Sequence, residues 1–353
     1  MVTLPVSEGN LSAITLSHED IELTVIPELG AKVSSIRWKD VELLARNPRK
    51  PLRPAVYAAP YSQFDASGFD ECFPTIGPCA YPEYPWEGIE MPDHGEVWSL
   101  PWQPTGKQIG RPARPSRSGR PFETGPEISL QVSGVRLPYA LHKRIKICAP
   151  GIILFHYKLT NPSPFAFKYI WSSHPLFAPQ PGMRLCLPPG SRVIVDWSKD
   201  SRLGDIWTEH AWPISQDSQG NPVDLGLILP PEVQRVDKLY TTRMTEGWCA
   251  LYEPTSGRYT AFVFSPQQIP YIGLSINLGG WPVDEPGYYN IGLEPCCGYP
   301  DRLDLAMKQG IAACIAPAQS VEWSMLLTIG SASDQQKMAG RLRQFQEKLP
   351  EYF

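Results

Sequence analysis

The sequence predicts an all-β protein, organised as one large sandwich-like domain with a short helix near its C-terminus. Pro and Gly contribute 39 and 28 of the 353 residues, and Pro at this density argues against long helices because it breaks a helix interior. Short segments rich in β-branched and aromatic residues recur between turn residues along the chain, which is typical of antiparallel strands. Hydrophobic residues make up 42% of the chain and charged residues 19%, so the chain can bury a large core and is not disordered.

The strands are predicted from runs of alternating or continuous apolar residues. Residues 21–38 hold two such stretches separated by Pro27 and Gly30, which predicts a β-hairpin. Three closely spaced runs at 128–132, 141–148 and 152–159 predict a meander. Further strands are predicted at 184–187, 192–197, 250–252, 259–264, 271–278, 288–294 and 320–329.

One helix is predicted near the end of the chain. Ser333 can cap a helix that continues to about Glu347, because Met338, Leu342 and Phe345 are spaced to share one face. Neither a repeat of fixed period nor a break in composition divides the sequence, which favours a single domain over residues 1–353. Within it, residues 104–126 hold five Lys or Arg among Pro, Gly and Ser, a composition that predicts an exposed, mobile insertion.

Composition and motifs exclude several classes of function. The formal charge of −4 disfavours binding to nucleic acid. No apolar run is long enough for a membrane span, and no Lys or Arg precedes the first weakly apolar stretch, so a secretory signal is not indicated and a cytoplasmic location is expected. The eight Cys form no pair of CxxC units, so neither a zinc ribbon nor a redox dithiol is predicted. Walker, GxGxxG, HExxH and GxSxG motifs are also missing from the sequence, which leaves acid–base chemistry.

Three ionisable residues stand out as candidates for that chemistry. His94 lies in MPDHGEVWSLPW and His174 in WSSHPLFAP, each where a strand is expected to end. A residue before Pro favours an extended backbone, which suits an imidazole that projects from a sheet edge into a cleft. Glu294 follows an apolar strand directly before Pro295. For each His a structural hydrogen bond is an equally good interpretation, and for Glu294 so is a structural ion pair, for example with Arg302.

Weaker candidates accompany them. Asp237 in RVDKLYTT and the pair Asp70 and Glu71 in GFDECFPTIGP are acidic residues that also fit turn or capping positions. Trp171 offers an aromatic face that can stack on a sugar ring, although Trp more often packs in a core.

Read in order, these segments resemble the aldose 1-epimerase (galactose mutarotase-like) superfamily. The segment IPELGAKVSSIRW is similar to the opening hairpin of that family, and GFDECFPTIGP and MPDHGEVWSLPW resemble two loops of its hexose-phosphate branch. The segment ILFHYKLTNPSPFAFKYIWSSHPLF, then VDKLYTT and NIGLEPCCGYPD, follow in the order of the family. The resemblance spans roughly residues 20 to 330.

The resemblance implies a β-supersandwich with an open sugar-binding cleft. It implies that the enzyme interconverts the α and β anomers of a hexose or related sugar, with His174 as acid and Glu294 as base. His94 and Asp237 would then hold sugar hydroxyls. Such a reaction needs neither a metal nor a redox cofactor, and the expected partner is a small-molecule sugar.

Departures from the family pattern bear on the substrate. The hexose-phosphate branch has an Arg shortly after its His-Gly pair, whereas Glu96, Val97 and Trp98 follow here, which favours a neutral sugar. The Asn-Arg pair of the family has no clear counterpart, and Arg46, or Asp70 and Glu71, would fill its place. Two alternatives to an epimerase therefore stay open: a carbohydrate-binding protein without turnover, and lyase or hydrolase chemistry on the same fold.

Overall fold

The computed structural model describes residues 2–8, 11–106, 125–283 and 286–352 of the chain. The strands are β1 (Val2–Glu8), β2 (Leu11–His18), β3 (Ile21–Ile26), β4 (Lys32–Trp38), β5 (Val41–Glu42), β6 (Phe69–Cys72), β7 (Cys79–Ala80), β8 (Glu90–Met91), β9 (Gln103–Pro104), β10 (Glu127–Ser133), β11 (Ala140–Ala149), β12 (Ile152–Thr160), β13 (Phe167–Tyr169), β14 (Ser172–Phe177), β15 (Arg184–Cys186), β16 (Arg192–Ser198), β17 (Glu209–Ala211), β18 (Ile214–Gln216), β19 (Pro222–Asp224), β20 (Arg235–Thr241), β21 (Trp248–Tyr252), β22 (Arg258–Phe264), β23 (Tyr271–Leu278), β24 (Tyr289–Cys296), β25 (Ala313–Ile315) and β26 (Ser320–Ser331). The helices are α1 (Leu303–Lys308) and α2 (Gln335–Glu347).

Two large antiparallel sheets form the body of the protein. The first has 12 strands in the order β1-β2-β3-β4-β6-β14-β24-β23-β20-β16-β17, with β5 paired to β4. The second has eight strands in the order β15-β21-β22-β26-β12-β11-β10-β9. Because side chains alternate between the two faces of a strand, each sheet gives one face to the space between the sheets.

The core fills the space between the two sheets. Phe69 of the first sheet lies 5.1 Å from Phe155 and 6.2 Å from Phe262 of the second, measured between ring centroids. All three rings are fully buried, and each such burial contributes roughly 1.5–3 kcal/mol. The opposite face of the first sheet is therefore the one left for a cleft.

The all-β prediction and the predicted strands are confirmed. The hairpin at 21–38 appears as β3 and β4, and the meander as β10, β11 and β12. The predicted cap of the last helix was wrong by one residue, because Asp334 caps α2 with a carboxylate that accepts the backbone N–H of Lys337 at 2.8 Å. Helix α1 was not predicted, since its six residues are too few to show a helical period.

Two further predictions concern the insertion and the number of domains. The insertion at 104–126 falls for residues 107–124 outside the described residues, and residue 104 belongs to β9. The single domain over 1–353 stays a prediction. In the parts of the chain that the structure describes, none of the helices has the length and apolar character needed to cross a membrane.

Candidate functional site

A cavity of about 250 Å³ opens on the face of the 12-stranded sheet that points away from the core. It is lined by residues from four neighbouring strands, β14, β24, β23 and β20, from the next strand β16, and from loops above them: Tyr61, Ala66, Ile76, His94, His174, Leu176, Asp196, Trp197, Val236, Lys238, Ser275, Asn277, Trp281, Tyr288, Asn290 and Asp301. The alternation of the strands explains this set. Lys238 and Ser275 point to the cavity, while Leu239 and Leu274, one residue away along each strand, are fully buried in the core.

The register of the central strands brings His174 and Glu294 together. In the pairing of β14 with β24, Ser172 lies opposite Cys296 and Leu176 opposite Gly292, so His174 lies opposite Glu294. The two side chains approach to 3.8 Å between Nε2 and Oε1. Two residues 120 positions apart in the sequence thus meet through strand pairing alone.

Two glycines make room for the Glu294 carboxylate on the surface of the sheet. A Cβ added to Gly292 would come within 2.5 Å of Glu294 Oε1, and one added to Gly273 within 2.9 Å of Oε2. The carboxylate therefore lies flat against the backbone of β23 and β24, below the floor of the cavity. It is fully buried, and burial raises its pKa, opposed by the positive charge of Lys238.

Lys238 covers this carboxylate from the side of the cavity. Its ammonium donates to Glu294 Oε2 and lies 3.6 Å from Asp301 Oδ1, which in turn accepts the hydroxyl of Tyr240. Burial acts to lower the pKa of Lys238, but the charges of Asp301 and Glu294 outweigh it and raise the pKa above its ordinary value. The ammonium is therefore charged at any physiological pH.

His174 carries no charge at neutral pH. Its burial, followed by the neighbouring His94, Lys238 and Lys32 side chains, lowers its pKa well below the ordinary value for His. In the described residues its Nδ1 has no hydrogen-bond partner, and neither has Oε1 of Glu294. A neutral imidazole and a carboxylate oxygen thus stand side by side with unused hydrogen-bonding capacity.

His94 and Tyr61 form the wall next to His174. The Tyr61 ring stacks on His94 at 4.0 Å between centroids, and the rings of His94 and His174 meet edge to face at 5.1 Å. The Asp93 carboxylate accepts the N–H of His94 Nδ1 at 2.8 Å. His94 has a left-handed backbone with φ of 58°, which costs of the order of 1 kcal/mol and is typical of functional loops.

Asp70 supports this wall from below. In the pairing of β6 with β14 it lies opposite His174, and its Oδ2 accepts the Tyr61 hydroxyl at 2.9 Å and the Lys32 ammonium at 2.6 Å. Lys32 also donates to Asp65 at 2.9 Å. Asp70 therefore lies beneath the cavity as a support for Tyr61 and does not line it.

Asp196 is a further carboxyl on the cavity wall. The register of β16 with β20 shifts between Val195 and Trp197, so Asp196 is the extra residue of a β-bulge and turns toward the cavity together with Trp197. Burial and the charge of Asp301 raise its pKa to about 8, against the opposing charge of Lys238. Asp196 is therefore largely protonated at neutral pH.

Asp196→Asn is expected to change how stability depends on pH. A group whose pKa is higher in the folded than in the unfolded state binds a proton on folding, so its stabilising contribution is present below the unfolded pKa and is lost as pH rises. As the pH rises from about 4 to about 8, the thermal midpoint of the variant should therefore increase relative to that of the wild type. Thermal unfolding at several pH values measures this, with the exposed Asp200→Asn as control. If the midpoint of the variant minus that of the wild type does not increase with pH, the raised pKa of Asp196 is contradicted.

Three predicted site residues lie elsewhere. Glu71 points between the two sheets, where it accepts the Tyr157 hydroxyl at 2.8 Å and the indole N–H of Trp171 at 3.0 Å. Trp171 is thereby a core residue too. Asp237 points to the core face of β20, where its Oδ1 accepts the hydroxyl of Ser198 at 2.6 Å. Its neighbour Lys238 points the other way and lines the cavity.

Two further expectations need correction. The ion-pair partner of Glu294 is Lys238, whereas Arg302 binds Asp304 at 2.6 Å. Glu96 does not line the cavity, because its buried carboxylate accepts the hydroxyls of Tyr57 at 2.6 Å and Tyr139 at 2.9 Å. Its negative charge is therefore no argument about the ligand.

Sequence reasoning missed several residues that line the cavity, chiefly Lys238, Asp196 and Asp301. The signal for Lys238 was present, because Val236 and Lys238 share one face of a strand while Asp237 and Leu239 share the other. Asp196 needed the bulge, and Asp301 lies in a loop outside any period. Among the described residues, no group of three or more His, Cys, Asp or Glu is placed to hold a metal ion.

The two sheets and the cleft on one of them define the galactose mutarotase-like fold, and comparison with solved structures agrees. The Slr1438 protein of Synechocystis superposes with a TM-score of 0.66 at 15% identity over 94% of this chain and 100% of its own. A protein of Escherichia coli K12 described as a "Putative aldose 1-epimerase" gives 0.61 at 17% identity over 94% and 100%. A "galactose mutarotase related enzyme" of Lactobacillus acidophilus gives 0.62 at 12% identity over 91% and 98%. No protein-family model and no curated protein sequence matches the chain.

Proposed function

We propose that the protein is a mutarotase, an aldose 1-epimerase-like enzyme that exchanges the anomers of a hexose or related sugar. The observation that carries the proposal is the contact of His174 with Glu294 at 3.8 Å beside a cavity of about 250 Å³. The C1 hydroxyl and the ring oxygen of a pyranose are bonded to the same carbon, so a pair of adjacent polar groups can reach both. Solved structures with the same fold that are named as epimerases or mutarotases support the proposal.

The proposed reaction opens and closes the sugar ring. Glu294 Oε1 removes the proton of the C1 hydroxyl, the bond between C1 and the ring oxygen breaks, and the ring oxygen receives a proton. Rotation about the bond from C1 to C2 and reversal of the steps then give the other anomer. A positioned acid or base typically contributes ~10² to 10⁴ in rate. His174, neutral and next to Oε1, holds the C1 oxygen through a hydrogen bond, and the Trp281 and Tyr288 rings cover the apolar face of the sugar.

One observation favours the alternative of a sugar-binding protein without turnover. The Glu294 carboxylate is fully buried, so a ligand reaches its Oε1, the oxygen that Lys238 does not bind, only when side chains that line the cavity above it shift. If that movement does not occur, the cavity binds a sugar and the base stays out of reach.

Polarimetry on the wild-type protein separates the two functions. Freshly dissolved α-D-glucose and α-D-galactose are followed with and without protein, and the spontaneous rate is subtracted. A mutarotase accelerates the approach to equilibrium in proportion to its concentration. Saturable binding by calorimetry with no acceleration for any aldose in a panel of neutral, acidic and amino sugars contradicts the proposal and supports the binding protein.

A further inference from the structure

The ring opening just described needs a proton donor, and two side chains at the cavity compete for that role. We propose, on the basis of the proposed function, that Lys238 is the proton donor of this site and that its ammonium delivers the proton to the ring oxygen. His174 then acts as a hydrogen-bonding residue for the C1 oxygen. The geometry of Lys238, described in the following paragraphs, supports this assignment.

Lys238 combines contact with the base and access to the cavity. Its ammonium donates to Glu294 Oε2, while Oε1 of the same carboxylate has no hydrogen-bond partner among the described residues. The base is therefore one oxygen of the carboxylate, and the donor is hydrogen-bonded to the other. This spacing suits two sugar oxygens that are bonded to the same carbon. The Lys238 side chain retains 11% exposure and lines the cavity, whereas Glu294 itself has none.

The surroundings of Lys238 hold its charge in place. Its Nζ lies 3.6 Å from Asp301 Oδ1 and 5.2 Å from the centre of the Tyr240 ring, and Asp196 faces it from the bulge on β16. Of the two side chains that compete for the role of donor, His174 is neutral, whereas Lys238 carries both a positive charge and a transferable proton at neutral pH.

Protonation of Glu294 turns Lys238 into a stronger acid. The carboxylates of Asp301 and Glu294 together raise the pKa of Lys238 above its ordinary value, and the charge on Glu294 disappears when it takes the C1 hydroxyl proton. The ammonium then loses the counter-charge that it contacts directly, and its pKa falls. Donation to the ring oxygen is therefore favoured at the moment when negative charge develops there.

The proton balance closes without any other reactant. On opening, one proton passes from the C1 hydroxyl to Glu294, the electron pair of the C1–ring oxygen bond moves to the ring oxygen, and one proton passes to it from Lys238. On closure, the Lys238 amine removes that proton, the ring oxygen attacks C1 from the other face, and Glu294 returns its proton to the carbonyl oxygen.

The test compares two replacements of Lys238 with a matched control. Lys238→Arg keeps a positive charge that does not deprotonate at physiological pH, and Lys238→Gln removes the charge. Lys308→Arg and Lys308→Gln, at the exposed end of α1, are the controls. Both Lys238 variants are expected to lose ~10² to 10⁴ in kcat for α-D-glucose or α-D-galactose, with KM within about threefold, and thermal unfolding confirms that they fold.

Two further readouts separate proton transfer from a structural role. Added alkylamines are expected to restore part of the kcat of a Lys238→Ala variant, in proportion to the concentration of amine, and to leave the Lys308 controls unchanged. A kcat of Lys238→Arg within threefold of the wild type shows that charge alone suffices and overturns the proposal, as does Lys238→Ala without rescue. If the wild type itself fails to accelerate anomer exchange, the proposed function falls and this role with it. Wild-type activity with unaffected Lys238 variants removes only the role.

Discussion

Glu294→Gln is expected to lower the rate of anomer exchange by ~10² to 10⁴-fold, the contribution typical of a positioned base. The amide has nearly the same shape, so it fits the space left by Gly273 and Gly292, but it cannot accept the C1 hydroxyl proton. Polarimetry gives the rate, and calorimetry with the same sugar checks that the cavity still binds.

The matched control for this variant is Glu347→Gln, at the exposed C-terminal end of α2. It should keep wild-type activity. Anomer exchange by Glu294→Gln within threefold of the wild type would contradict the assignment of the base, while loss of both binding and activity would point to a damaged cavity. A second variant, Glu294→Asp, tests the position of the carboxylate, since a base withdrawn by one methylene should recover only part of the rate.

Lys32→Met is expected to lower the free energy of unfolding by about 3–5 kcal/mol. The ammonium is buried and donates to Asp65 at 2.9 Å, Asp70 at 2.6 Å and the carbonyl of Ser67 at 2.8 Å. Its removal leaves two buried carboxyls without their counter-charge. Urea denaturation at pH 7 measures the loss.

The deficit of Lys32→Met should also depend on pH. Burial already raises the pKa of Asp70 against the opposing charge of Lys32, so without the lysine this pKa rises further. A carboxyl with a raised folded pKa stabilises below its unfolded pKa of ~3.9 and loses that contribution as pH rises. The deficit should therefore be smaller at pH 4 than at pH 7. Lys308→Met, an exposed position, serves as control, and a deficit below 1 kcal/mol at pH 7 refutes the buried ion-pair network.

The sequence could predict the strands because one face of each strand is buried and the side-chain period is two. It could also single out His174 and Glu294, since each directly precedes a Pro in an apolar segment, but both lie inside strands, β14 and β24, and not at the strand ends that the sequence predicts. Their contact was not predictable from the pattern, because it depends on the register of β14 with β24. That register is set by the whole sheet and not by either strand.

Neighbouring residues show most clearly where the pattern was insufficient. Asp70 and Glu71 are adjacent, yet one supports the cavity wall and the other lies between the sheets. Asp237 and Lys238 divide in the same way. Alternation predicts that such pairs separate, but only the position of the second sheet decides which member faces the cavity. Asp196 could not be predicted at all, since its orientation comes from an irregularity in strand pairing.

The bare backbone under Glu294 limits how this protein can be redesigned. Gly273 and Gly292 tolerate no side chain while the carboxylate stays where it is, so directed evolution toward new sugars should hold both codons fixed and diversify the rim instead. Trp197, 44% exposed, and Val236 both line the cavity, and substitutions there can change sugar selectivity without displacing the Glu294 carboxylate.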